Sequence, residues 1–139
     1  MENILIVYWS GTGNTKKIAE EIRNAIVETN NTVTLINLKE TIPHIEGFKK
    51  IMLGCPATSK EQLEGSTFMP FLEDIKTQLA DKKIALFGSY GWGDGEWMRK
   101  FEAMISQSSA ELFGSLIIKG EPEENDSRCH QFGQDFANS

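Results

Sequence analysis

The sequence predicts an α/β fold: an open, parallel five-stranded sheet between two layers of helices, a three-layer sandwich. Three observations carry this prediction. Short apolar runs alternate with helical patterns along all 139 residues. Several runs are apolar at nearly every position, as parallel strands covered on both faces are. The first run also passes through a turn rich in glycine and hydroxyls directly into an amphipathic segment, the strand–turn–helix unit of such sheets.

In order, Ile4–Tyr8 is the first strand. A helix opens near Asn14, with Ile18, Ala19, Ile22 and Ile26 on one stripe. Thr32–Asn37 is the second strand. Lys39–Phe48 is interrupted by Pro43, so only a short helix or turn is expected there. Lys50–Gly54 is the third strand, and Phe68, Phe71, Leu72, Ile75 and Leu79 mark the next helix. Ile84–Ser89 is the fourth strand. Trp97, Phe101, Met104 and Ile105 form a third helical stripe, which assigns Trp97 to the core. Ser115–Lys119 is the fifth strand, and Cys129, Phe132 and Phe136 line a C-terminal helix. With right-handed crossovers, a ligand belongs outside the carboxyl ends of the strands, where the strand order reverses.

Length and composition bound the function. Residues 1–139 suit one domain with a real core, and 40% hydrophobic residues exclude disorder. No apolar run approaches the ~18 residues of a membrane span, and Met-Glu-Asn leads into a strand with no signal-peptide pattern. Cys55 and Cys129 have neither metal-site spacing nor a disulfide framework. A cytoplasmic protein, with no membrane and no metal, is expected. The net charge of −6 argues against nucleic acid. Residues 1–60 carry seven Lys/Arg against six Asp/Glu, whereas residues 61–126 carry six against thirteen. The acidity is therefore concentrated in the middle and late chain. It reads either as an ordinary solvated surface or as a face that steers basic partner proteins.

Residues 7–15, Val-Tyr-Trp-Ser-Gly-Thr-Gly-Asn-Thr, are the most informative stretch. The first N–H groups of a helix lack internal partners and carry the positive end of its dipole, so this junction suits a phosphate. Ser10, Thr12 and Thr15 add hydroxyls, and Gly11 and Gly13 allow close backbone approach. The nucleoside-triphosphatase loop is excluded, because Lys16 stands at the wrong spacing from Gly11. The dinucleotide fingerprint is excluded as well, because Lys16 occupies the place of its third glycine. No thiol is present for phosphatase chemistry. What remains is a cradle of neutral donors for one terminal phosphate, with no catalytic group.

Two further loops open on the same edge: Cys55–Ser66 after the third strand and Ser89–Gly95 after the fourth. The latter reads Ser-Tyr-Gly-Trp-Gly-Asp-Gly. Two aromatics among three glycines fit a planar ligand stacked on Trp92, with the backbone meeting its edge. The alternative has Trp92 folding back on the core. Trp9 is equally open, since it can face either the helix layer or the ligand.

With these motifs in place, the sequence resembles the flavodoxins, most of all the short-chain flavodoxins of anaerobic bacteria. Tyr8 to Thr15 and Ala85 to Gly95 carry the resemblance, which extends over essentially the whole chain. It implies a flavodoxin-like sheet in the order 2-1-3-4-5 and one tightly bound FMN. By similarity, Ser10, Gly11, Thr12, Gly13, Asn14 and Thr15 would hold the phosphate. Trp9, Pro56 and Ala57 would line the ribityl chain and a ring edge. Thr58, Ser59, Lys60 and Glu61 would cover the inner face of the isoalloxazine and its N5 region. Ser89, Tyr90, Gly91 and Gly93 would meet the pyrimidine end, with Trp92 stacked outside. Gly120 falls at the last contact loop.

The implied function is a low-potential one-electron carrier, cycling FMN between semiquinone and hydroquinone. It would be no enzyme, is expected to be a monomer, and would dock redox partner proteins on an acidic rim around the flavin. The alternatives are an FMN-dependent reductase such as a quinone reductase, for which no loop is long enough to build a substrate cavity, and a dedicated reductant for one metalloenzyme. A phosphorelay receiver is excluded, because Tyr8-Trp9-Ser10 stand where it needs acids. The chain departs from its relatives where they read approximately Met-Gly-Asp/Glu and it has Thr58-Ser59-Lys60, and at Pro56, where serine is common. The resemblance implies that the peptide after Ser59 turns over on reduction. The turned-over form favours positive φ at Ser59, which a Cβ disfavours by roughly 1–2 kcal/mol.

Overall fold

The computed structural model describes residues 2–139. In chain order its elements are β1 (Asn3–Tyr8), α1 (Asn14–Val27), β2 (Thr32–Asn37), β3 (Lys50–Gly54), α2 (Phe68–Ile75), β4 (Lys83–Tyr90), α3 (Glu96–Ser106), β5 (Glu111–Lys119) and α4 (Ser127–Ala137). The strands pair in parallel in the order β2-β1-β3-β4-β5, as expected.

Alternation along each strand divides the core into two layers. Ile4, Ile6 and Tyr8 face α1 and α4 together with Met52, Ala85 and Phe87. Leu5 and Val7 face α2 and α3 together with Ile51, Leu53, Ile84 and Leu86. The stripe Ile18, Ala19, Ile22 and Ile26 is fully buried. Helix α4 lies close beside α1 because residue 133 is glycine; a Cβ there would press on the Ile22 carbonyl. The buried Lys50 Nζ donates to the carbonyls of Ala137 and Ser139 (both 2.9 Å) and pairs with Glu2 at 3.0 Å. A cation thus stands at the negative end of α4.

The fifth strand begins four residues earlier than the pattern predicts, for an identifiable reason. Pairing with β4 jumps from Ile84↔Leu112 to Ala85↔Gly114, so Phe113 is an extra residue in the ladder. This bulge shifts the period of two by one, which hides the early half of the strand from a pattern reading. It also turns Phe113 onto Phe132 and Phe136, at ring separations of 5.9 and 5.2 Å. Residues 39–48 form turns and no helix, with Ile45 anchored in the core. Leu79 is buried, but it lies beyond α2 and the 3-10 turn Lys76–Gln78 that follows it.

Helix α2 starts without a cap from Thr67. Glu64 caps it instead. Its Oε1 accepts from the N–H groups of Thr67 and Phe68 (both 2.8 Å), and its Oε2 accepts from the Ser66 N–H and hydroxyl. Pro70 sits in the first turn, where an N–H has no partner to lose. Burial raises the Glu64 pKa, but these four hydrogen bonds outweigh it and hold the carboxyl below its usual value. A pKa depressed by folding adds stability that is complete above the unfolded value and is lost as pH falls through the folded one. Glu64→Gln is therefore expected to cost about 1–2 kcal/mol at neutral pH. Its stability should also fall less steeply than that of the unchanged protein below about pH 4, which denaturant unfolding at a series of pH values measures.

Candidate functional site

The carboxyl ends of β1, β3, β4 and β5 open on one edge of the sheet. They enclose a cleft of about 420 Å³ lined by Trp9, Gly11, Thr12, Asn14, Pro56, Ala57, Thr58, Ser89, Tyr90, Gly91 and Gly120. All eleven are among the residues predicted for binding. A groove of equal volume between α2 and α3, lined by Met69, Leu72, Met104 and Ile105 among others, lies away from this edge. Polar convergence rather than volume distinguishes the cleft.

The turn after β1 exposes backbone donors. Gly13, at φ 102°, lets the chain enter α1 in a left-handed conformation. The buried Ser10 Oγ accepts from the Gly13 and Lys16 N–H groups at 3.1 and 3.2 Å, which braces the loop from within. Among the described residues, no hydrogen bond engages the N–H groups of Gly11, Thr12, Asn14 or Thr15. The Thr15 hydroxyl lies 2.8 Å from that of Ser89, and both side chains are buried. Two of the three predicted hydroxyls, Ser10 and Thr15, thus have partners inside the protein, and Thr12 is exposed.

Contacts across the sheet fix the loop after β3. The Cys55 N–H donates to Phe87 O (3.0 Å), and the Ala57 N–H donates to Ser89 O (2.9 Å). The indole N–H of Trp97 donates to Cys55 O at 3.0 Å. A Cβ on Gly88 would collide with that same carbonyl. The Cys55 thiol is pushed up to about 12 by burial and is inert. Thr58 to Glu61 form a turn closed by Glu61 N–H to Thr58 O and by Thr58 N–H to Gln62 O, both 2.9 Å. Its positive φ, 51°, falls at Glu61 and not at Ser59. The Glu61 carboxylate fills the space beside Gly93 that a Cβ would need, and its buried Oε1 has no hydrogen-bond partner among the described residues.

In the loop after β4, Tyr90 turns inward against Trp97 at 5.5 Å between rings. Trp92 stands 57% exposed, neither folded on the core nor lining the cleft. Arg99 fastens the loop by donating to the Asp94 carbonyl (3.0 Å) and carboxylate (2.9 Å), and it holds the Asp94 carboxyl below its usual value. Trp9 lines the cleft while packing on the core, and Lys39 Nζ lies 4.9 Å from its ring centroid. No sequence signal pairs Lys39 with Trp9; adjacency of β1 and β2 does. Ser10, Gly13 and Thr15, and also Ser59, Lys60, Glu61, Trp92 and Gly93, are not among the residues that line it. No His/Cys/Asp/Glu cluster suited to a metal occurs among the described residues.

Comparisons with known proteins show the family to which the chain belongs. The family model described as Flavodoxin matches residues 6–132. The chain is 46% identical over 135 residues to a flavodoxin of Clostridium beijerinckii, covering 96% of this chain and 98% of that one. It is 39% identical over 130 residues to a flavodoxin of Megasphaera elsdenii, covering 93% and 94%. The solution structure of two-electron reduced M. elsdenii flavodoxin superposes with a TM-score of 0.89 at 38% identity, over 98% of this chain and 99% of that one.

Trp97→Phe keeps a ring in the core but leaves the buried Cys55 carbonyl without the indole donor. We expect a loss of about 1–3 kcal/mol in denaturant unfolding. Amide hydrogen exchange should also quicken at residues 55–61 more than in β1, because the anchor of that loop is gone.

Proposed function

We propose, for a chain that belongs to the flavodoxin family, that FMN occupies the cleft with its phosphate at the N-terminus of α1. The chain is an FMN-bound electron carrier and not an enzyme. The relatives favour this over the FMN-dependent reductase reading. The observation that carries the site assignment is the set of unpartnered N–H groups on Gly11, Thr12, Asn14 and Thr15. A dianionic phosphate is the ligand such a neutral cradle lacks. A second fit lies at the other end, where the orphaned Glu61 Oε1 needs a donor and the imide N–H of a flavin ring is one.

In this reading Trp9, Pro56 and Ala57 line the ribityl chain. Thr58, Ser59, Lys60 and Glu61 cover one ring face, the backbone of Ser89, Tyr90, Gly91 and Gly93 meets the pyrimidine edge, and the exposed Trp92 stacks outside. Gly120, whose N–H bonds Tyr90 O at 2.8 Å, closes the far wall. Bound FMN supplies reversible one-electron oxidation and reduction. The residues bind and orient it, shield one edge, and set its potentials by their charges and contacts.

An electron carrier requires redox partners, and docking on an acidic rim is part of the proposal. Its support is the position of Glu121, Glu123 and Glu124 just past Gly120, on the edge that bears the cleft. Glu121 is paired with Lys17, whereas Glu123 and Glu124 form no ion pair among the described residues. Among the described residues, no helix is long and apolar enough to cross a membrane. We place the carrier in the cytoplasm as a monomeric, single-domain protein over residues 1–139. Two buried free thiols are consistent with that setting.

The direct test titrates apoprotein with FMN, then reduces the complex stepwise without oxygen. Saturation at one FMN per chain and two resolved one-electron steps are expected. No binding, or a single two-electron bleach, overturns the reading.

Two variants follow. Lys60→Glu places an anion beside the reduced, anionic ring and should lower the more reducing one-electron potential by at most about 40 mV. That shift should shrink as salt is added; a salt-independent shift counts against an electrostatic cause. Trp92→Ala should weaken oxidised FMN and raise the same potential, because an aromatic face suits the electron-poor ring better than the anionic one. Fluorescence titration and potentiometry measure the two effects.

A further inference from the structure

The buried contact between Thr15 and Ser89 joins two loops 74 residues apart. We infer that Ser89 is a positioning residue, which turns the Thr15 hydroxyl proton toward the anion at the N-terminus of α1 and so sets selectivity for the phosphorylated flavin. The inference rests on the phosphate assignment above. A threonine hydroxyl has one proton and two acceptor lone pairs. The Ser89 N–H donates to Thr15 Oγ1 at 3.3 Å and occupies one lone pair. The Ser89 hydroxyl, 2.8 Å away, occupies either the second lone pair or the proton.

The two arrangements differ in what they present to an anion. When the Ser89 hydroxyl donates, both lone pairs of Thr15 are filled and its own proton is left over, in the first turn of α1. That proton joins the free N–H groups around it. When Thr15 donates instead, it turns a lone pair toward the anion, which repels it. An anion therefore selects the first arrangement. Ser89 is held where it can favour that arrangement: its carbonyl accepts from the Ala57 N–H, and the residue is 5% exposed against 1% for Thr15. Thr15 is thus a donor whose direction is set from another strand.

The experiment compares dissociation constants for FMN and riboflavin, which differ only in the phosphate. In Ser89→Ala the ratio Kd(riboflavin)/Kd(FMN) should fall about fivefold, the worth of one oriented hydrogen bond. Thr15→Val should lower it at least as much, and Ser89→Ala in the Thr15→Val background should lower it no further. An unchanged ratio, or equal weakening of both flavins, makes Ser89 a packing residue and overturns the inference. A further fivefold fall in the double variant also overturns it, since Ser89 would then act without Thr15. Ser89→Cys, similar in size and a weak donor, gives the same reading if the alanine variant fails to fold. If the unchanged protein binds riboflavin as tightly as FMN, the phosphate assignment fails, an outcome separate from failure of the Ser89 inference alone.

Discussion

The carbonyl of Cys55 occupies the space that a Cβ on residue 88 would need, and the indole N–H of Trp97 holds it there. This close approach sets the spacing of everything at the carboxyl edge of the sheet. It brings the ends of β3 and β4 together tightly enough for the Ala57 N–H to reach Ser89 O. That bond sets the width of the cleft between Pro56–Ala57 on one side and Ser89–Gly91 on the other. Trp97 has no exposure and carries the aromatic layer that supports Tyr90, so the site's wall and the core of α3 are one structure.

Upon that frame the two ends of the cleft are finished differently. At the α1 end the chemistry is neutral: free backbone N–H groups, a helix dipole, and hydroxyls braced from behind. A cradle of this kind suits an anion without a full positive charge beside it. At the other end the groups are charged or aromatic: Lys60, Trp92 and the Asp94–Arg99 pair are exposed, and Glu61 is half-buried. In the proposed reading, binding strength and redox tuning therefore fall to different residues. On that reading, substitution in the Thr58–Lys60 turn moves potentials while the α1 end stays intact.

Much of this was legible in the sequence. All eleven residues that line the cleft stand among those expected to bind: Gly11, Thr12 and Asn14 from the turn between a strand and a helix, Ser89, Tyr90 and Gly91 from the aromatic loop opposite it, and Trp9, Pro56, Ala57, Thr58 and Gly120 from the resemblance. The strand order followed from resemblance to a known fold. The early half of β5 was missed, since a one-residue bulge at Phe113 breaks the alternation on which pattern reading depends. Glu64 was missed as the cap of α2. It bonds N–H groups up to four residues ahead through a bent segment, a geometry that no spacing rule marks.

By itself the sequence determined which segments become strands and helices, and that the turn after β1 offers helix-start N–H groups at the sheet edge. Both are local matters, fixed by periodicity and by the unpaired N–H groups at a helix start. Only the tertiary structure decided how the hydroxyls are used and where strain falls. Ser10 turns inward as a brace, Thr15 pairs with Ser89, and Glu61 takes the left-handed backbone. It also decided that Trp9 both lines the cleft and carries Lys39 near its ring. Each of these depends on groups that lie far apart in the chain, or on the local course of the backbone. Hydrogen bonding and close packing assign them once the strands have brought the loops to a common edge.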